Sequence, residues 1–153
     1  MSRALYEHTQ AGWPMRIAFA TASVMLIVLA AMPELGDEPA PPLVLIAAAA
    51  FCAVIGWTWG ALTVRIQGDR LQVRFGLGFP RKTLPLREVA AVEVTRTTFL
   101  DGWGLRRTRR GWLYNVSGFD AVLLRLTDGR TLMVGTDEPR RLKTAIERAQ
   151  ARS

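Results

Sequence analysis

The sequence predicts an α+β membrane protein: a two-helix transmembrane hairpin, then a seven-stranded antiparallel sandwich or barrel capped by a C-terminal helix. Three observations carry this. Two apolar runs, residues 17–32 and 43–62, contain no charged residue. From Leu62 onward apolar and polar residues alternate strictly, the period of a half-buried strand. After Thr136 the period changes again, to that of an amphipathic helix.

The first run, IAFATASVMLIVLAAM, makes a helix of about 24 Å, and Met15 and Pro33 extend it toward the roughly 30 Å hydrocarbon core. The second, LVLIAAAAFCAVIGWTWGAL, is about 30 Å long and carries no ionisable group except the Cys52 thiol. The alternative is a pair of buried helices in a soluble core, for which the rest of the chain supplies too few apolar side chains. The predicted order is a cytoplasmic segment 1–14, a span 15–33, a short acidic Pro-rich extracytoplasmic loop 34–42, a span 43–61, and a cytoplasmic β-module 62–153 with its helix at about 137–150.

Orientation follows from charge and aromatic placement. An antiparallel hairpin brings Trp13, Trp57 and Trp59 to one interface, where tryptophan is favoured. The same side carries Arg3, Arg16 and Arg65, whereas the connecting loop holds Glu34, Asp37 and Glu38 and no base, so both termini are expected in the cytoplasm. A cleaved signal peptide ending near Ala30 is the rival for the first run, and it leaves the orientation of the second unchanged. Neither apolar run, 17–32 or 43–62, contains a carboxylate, Lys or Arg, so the pair reads as an anchor rather than a transport path. Gly56 and Gly60 form a Gly-x-x-x-Gly pair, suited to packing one span on the other or to homodimerisation.

In the β-module, Leu62, Val64 and Ile66 alternate with Thr63, Arg65 and Gln67, and beyond Gly68-Asp69 Leu71, Val73 and Phe75 alternate with Arg70, Gln72 and Arg74. Further strands are expected at 82–86 and 89–97, the latter with Val92 and Val94 inward. Residues 101–112, DGWGLRRTRRGW, break the period and read as an exposed loop or a distorted edge. A strand at 112–116 follows, then a hairpin around Asp128-Gly129, read as a type I′ turn. Thr136-Asp137-Glu138-Pro139 opens the final helix, whose Leu142, Ala145, Ile146 and Ala149 form one stripe.

Residues 63–153 hold 18 Lys+Arg against 9 Asp+Glu, so nearly all the excess charge is in this module. Arg106, Arg107, Arg109 and Arg110, flanked by Trp103 and Trp112, are the candidate contact to lipid phosphate or to a partner; the alternative is a solvated loop with core tryptophans. Nucleic acid is the more distant anion for a domain tethered at a bilayer. Catalysis has little to work with: His8 and Cys52 lie outside the module, Ser117 lacks a G-x-S-x-G frame, and Gly76-Leu77-Gly78 lacks a Walker pattern. No cofactor and no metal are expected. Asn115-Val116-Ser117 matches a glycosylation sequon that a cytoplasmic strand would not present to that machinery.

With GWGLRR at 102–107, GWLYNVSG at 111–118 and LTDGRTLMVGTDEPRRL at 126–142, the chain from Leu62 onward resembles a bacterial membrane-anchored pleckstrin-homology-like (PH-like) domain. The resemblance implies a binding module, not an enzyme. It also implies that head-group binding through a long loop between the first two strands is absent, because Gly68-Asp69 is too short. The expected functions are an adaptor docking a protein partner, an anionic-lipid sensor using the arginine segment, or a non-catalytic subunit of a membrane complex.

Overall fold

A computed structural model describes residues 4–35 and 40–152, so Arg3, Asp37 and Glu38 lie outside the described residues. The chain is α+β, with three α-helices and two sheets of four and five strands. In chain order these are β1 (Tyr6–Ala11), α1 (Trp13–Ala31), α2 (Pro42–Thr58), β2 (Ala61–Gln67), β3 (Arg70–Phe75), β4 (Arg81–Pro85), β5 (Val89–Arg96), β6 (Gly104–Thr108), β7 (Gly111–Asn115), β8 (Asp120–Leu126), β9 (Thr131–Gly135) and α3 (Pro139–Gln150).

β1 is the largest departure from the sequence expectation, which left residues 1–14 as a bare cytoplasmic segment. It pairs antiparallel with β2 along its whole length, from Tyr6 opposite Ile66 to Ala11 opposite Ala61. One further bond, from the Gly12 N–H to the Gly60 carbonyl at 2.9 Å, carries the ribbon to the feet of the helices. Thr9 and Thr63 share a hydroxyl bond of 2.9 Å across the ladder, and Gln10 Nε2 donates to the Ser117 carbonyl at 3.0 Å. His8 Nε2 lies 2.6 Å from Asp137 Oδ1 ahead of α3. The helix pair is therefore inserted between the first two strands of the module rather than attached in front of it.

α1 has 19 residues and is, by length and composition, long and apolar enough to cross a membrane; α2 is more apolar, with no charged residue, but has 17. Proline stands in the first turn of each, where its missing N–H costs nothing. The two helices pack on one another, with Ser23 Oγ donating to the Ala49 carbonyl at 3.0 Å. Ser23, Ala49 and Gly56 are their only fully buried residues, and Ile17, Val24, Ile27, Leu43, Ile46, Phe51 and Val54 all face outward.

The first sheet has the order β1-β2-β3-β4, antiparallel throughout, and the second β5-β8-β9-β7-β6. β7 and β9 run parallel, so the expected all-antiparallel sheet holds for every pair but this one. The described strands number nine rather than seven because β1 and β6 join the expected set. Inward rows from the first sheet (Leu62, Val64, Ile66, Leu71, Val73, Phe75) meet Tyr114, Val116, Val122, Leu124, Leu132 and Val134 of the second. Each such side chain contributes on the order of 1.5–3 kcal/mol when fully buried. Val92 is half-buried as expected, but Val94, on the edge strand β5, stays exposed.

α3 begins two residues later than expected, although the Thr136 hydroxyl does accept the Glu138 N–H, at 3.1 Å. It closes one side of the sandwich with Leu142, Ile146 and Ala149, and Gln150 Nε2 bonds the Leu86 and Val89 carbonyls at 3.1 and 2.8 Å. At Gly68-Asp69 only the glycine has positive φ, the type II′ pattern. Gly129 is likewise alone in positive φ, so the Asp128-Gly129 hairpin is not the expected type I′. The Gly129 N–H returns to the Leu126 carbonyl across a three-residue loop.

Candidate functional site

The arginine segment is an edge of the sheet, not a loop. Residues 104–108 form β6, in regular antiparallel register with β7 from Gly104 opposite Asn115 to Thr108 opposite Gly111, and only Arg109 and Arg110 make the turn. Leu105 is the one apolar side chain in this strand, which is why periodicity does not reveal it. The Thr131 hydroxyl holds the Arg110 carbonyl. From there the Arg110 guanidinium reaches Thr95 Oγ1 at 3.3 Å, the Arg96 carbonyl at 3.1 Å and Asp101 Oδ2 at 3.5 Å. Thr95 and Thr131 share the outward face with Leu113, Leu123 and Met133, a second small buried cluster, so the turn folds back across that face.

This fold-back gathers Arg106, Arg107, Arg109 and Arg110 around one open groove of about 770 Å³, with Thr98, Leu100 and Asp101 on the opposite wall. Arg96 also lines it, a fifth arginine that sequence reasoning missed because it lies ten residues upstream. Among the described residues lining the groove Asp101 is the one carboxylate, against five guanidinium groups, of which Arg96 also pairs with Asp120 at 3.3 Å. Arg106, Arg107 and Arg109 are exposed. Trp103 and Trp112 do not line the groove. Trp103 is half-buried between Asp101 and Gly104, and Trp112 borders a separate cleft of about 360 Å³ between β4 and the β6–β7 hairpin, with Lys82, Leu105, Tyr114 and Arg130.

Asp101 holds the far wall. Its Oδ2 accepts the Thr98 N–H at 2.7 Å and the Thr98 hydroxyl at 3.0 Å, and these bonds, the backbone one first, with Arg110 beside them, lower its pKa despite partial desolvation. A carboxylate with a depressed folded pKa contributes stability above the unfolded value and loses it as pH falls through the folded one. Amide exchange at Thr98 is accordingly expected to stay slow down through the ordinary aspartate value of 3.8 and to accelerate only below it. In Asp101→Asn that pH dependence should vanish, with Thr98 less protected throughout. Burial alone pushes the Tyr114 hydroxyl up.

The residues expected at the interface divide. Trp13 and Trp57 stand 63% and 70% exposed at the start of α1 and near the end of α2, and the Arg16 guanidinium lies 5.6 Å from the Trp13 ring centre. Trp59 instead enters the module core, 4.7 Å from the Phe75 ring. Arg65 lies four residues up β2, roughly 13 Å from the helix feet, paired with Glu7 at 3.6 Å. Gly56 and Gly60 both face their own chain: a Cβ on Gly56 would stand 2.7 Å from Phe19 Cβ, and one on Gly60 2.8 Å from Arg16 Cγ. Gly56→Leu is expected to force α1 off α2 and cost about 1–3 kcal/mol, read as a lower Tm of the detergent-solubilised protein.

Among the described residues no group of three or more His, Cys, Asp or Glu side chains could hold a metal ion. A scan against protein-family models and a search of curated proteins each gave no match to this chain.

Proposed function

We propose that this chain is an integral membrane protein whose two helices cross as an antiparallel hairpin, holding a basic, PH-like binding module against the cytoplasmic face. The pairing of β1 with β2 supports the double crossing. If α1 crosses, the chain must return, because Tyr6–Ala11 and Ala61–Gln67 belong to one sheet, and α2 is the helix available for the return. At about 25 Å it needs its flanks, Pro41 and Trp59, or a locally thinner bilayer. Two packed sheets and a closing C-terminal helix support the PH-like reading; the parallel β7–β9 pair departs from it.

The module's work is binding an anionic surface on a protein partner. The observation that carries this is the groove of five arginines with a single carboxylate, open beside β6, an edge strand whose outer side an extended acidic segment can pair with. A lipid-phosphate reading is favoured by one further observation, the exposure of Leu100 on the groove's wall. Crosslinking the full chain in native membranes, with Arg106, Arg107, Arg109 and Arg110 changed to Ser, separates the readings. Loss of a crosslinked protein supports the adaptor. Retained crosslinks with lost affinity for anionic vesicles support lipid, and no change in either defeats both.

A further inference from the structure

The most exposed apolar side chains of the β-module, those above 60%, gather at one end. Leu77 and Phe79, between β3 and β4, are 62% and 76% exposed; Leu100, between β5 and β6, is 89% exposed; Phe119, between β7 and β8, is also exposed. These three connections all lie where the helices leave the sandwich. Gly76 packs against the Trp57 and Thr58 carbonyls and its N–H bonds the Ala61 carbonyl at 3.0 Å, which ties the 76–80 segment to the foot of α2. Ser117 Oγ donates to the Ala11 carbonyl at 2.9 Å, placing 116–119 beside the start of α1. The Thr97 N–H donates to the Phe119 carbonyl at 2.6 Å, and Gly104 lies against the Trp59 ring, so both ends of the Leu100 segment are fixed at the same level. The connections at the opposite end are Gly68-Asp69, Leu86–Glu88, Thr127-Asp128-Gly129 and, beside Thr131, the Arg109-Arg110 turn.

Arginine flanks the apolar tips. Arg74 and Arg81 face each other in register at the base of the β3–β4 connection, with Lys82 next, and Arg96 ends β5 ahead of Leu100. Arg96 pairs with Asp120 at 3.3 Å and Arg74 with Glu7 at 3.9 Å, and apolar tips flanked by bases are the composition of a surface that sits at the boundary of head groups and acyl chains. Because the β1–β2 ribbon runs into the helices without a linker, the height of these tips relative to the helix pair is fixed by the fold.

We infer that this end of the sandwich is a membrane-seating face: Leu77, Phe79 and Leu100 enter the bilayer boundary beside the helix pair, and Arg74, Arg81 and Arg96 stand at head-group level. The inference rests on the membrane reading above, and its occupant is the lipid bilayer rather than a second copy of the chain.

Single cysteines test it in the full chain, with Cys52→Ser as background and reconstitution into vesicles of mixed neutral and anionic phospholipid. A polarity-sensitive fluorophore is placed at Leu77→Cys, Phe79→Cys or Leu100→Cys, at Val24→Cys on the outward face of α1, and at Thr127→Cys at the far end. All five positions are exposed, so the labels need not disturb the core. Expected is loss of most emission at Leu77, Phe79, Leu100 and Val24 with spin-labelled lipid, and at Thr127 only with iodide in the water. Iodide quenching at the three tips with lipid quenching at Val24 overturns the seating face and leaves the membrane reading standing. Iodide quenching at Val24 as well defeats both. Tips shielded from both quenchers indicate a covering protein, such as a second copy, and likewise overturn the inference.

Discussion

Phe75→Ala is expected to lower the stability of the β-module by about 3–5 kcal/mol, among the largest effects of any single substitution in the chain. Phe75 is fully buried, its ring 4.7 Å from that of Trp59 and 6.2 Å from that of Tyr114. It joins the last residue of β3 to the segment just past α2 and to the middle of β7, so its removal opens a cavity where helix pair and both sheets meet. Denaturant unfolding of the detergent-solubilised protein, followed by tryptophan emission, measures the loss. Two controls locate it: Leu77→Ala, on the exposed tip, should stay within about 0.5 kcal/mol, and Phe75→Leu should fall between. Trp59 should also move to redder emission in Phe75→Ala.

Changing Arg106, Arg107, Arg109 and Arg110 to Ser is expected to weaken binding of an anionic target by about two to three orders of magnitude, from roughly 1 kcal/mol for each base near an anionic surface. Arg110→Ser alone should behave differently from the other three. Arg106, Arg107 and Arg109 carry charge to the groove, whereas Arg110 also ties β5 and Asp101 to the turn. Its loss should therefore disturb the groove's shape as well as its charge, which appears as faster amide exchange at Arg96 and Thr98. Titrating salt supplies a second check. Binding by Arg106, Arg107 and Arg109 should fall steeply between low and physiological ionic strength, since the screening length shrinks to about 8 Å.

The parts of the fold that follow from hydrophobic periodicity were legible, and the parts held by polar bonds were not. The helix pair follows from two long uncharged apolar runs, and the β2–β3 and β8–β9 hairpins and the stripe of α3 bury rows of apolar residues that alternate or recur in the sequence. β1 has no such row. Tyr6, His8 and Gln10 point toward the module, and two of them are held by Asp137 and Ser117 rather than by apolar contact. The boundary at residue 62 was misplaced for this reason: the module is made of two stretches of chain, and a fragment starting there would leave the edge of β2 unpaired. β8 carried a readable sign that alternation misses, since Ala121, Val122, Leu123 and Leu124 are buried in succession, as in a strand covered on both faces. That cover is the folded-back arginine turn.

Within the candidate site, the clustering of the four arginines was legible from their nearness in sequence, but not the geometry that opens them to one groove. Arg96 joins them through space, and Trp112 is carried away by the register of β7 to the cleft on the other side of the hairpin. Leu77 and Phe79 gave no signal as a binding feature, because exposed apolar residues in a Gly-containing connection look like any turn until the fold places them beside the helices.

In the proposed arrangement the β-module lies on one side of a membrane, built around a helix pair that crosses and returns. Thiol labelling in intact cells tests it most directly, with a membrane-impermeant reagent, a Cys52→Ser background, and single cysteines at Glu34→Cys, just beyond α1, and Thr127→Cys, at the far end of the module. Glu34→Cys is expected to react from outside and Thr127→Cys only after permeabilisation. Equal reaction of both positions from one side, or recovery of the chain in the soluble fraction without detergent, would contradict it.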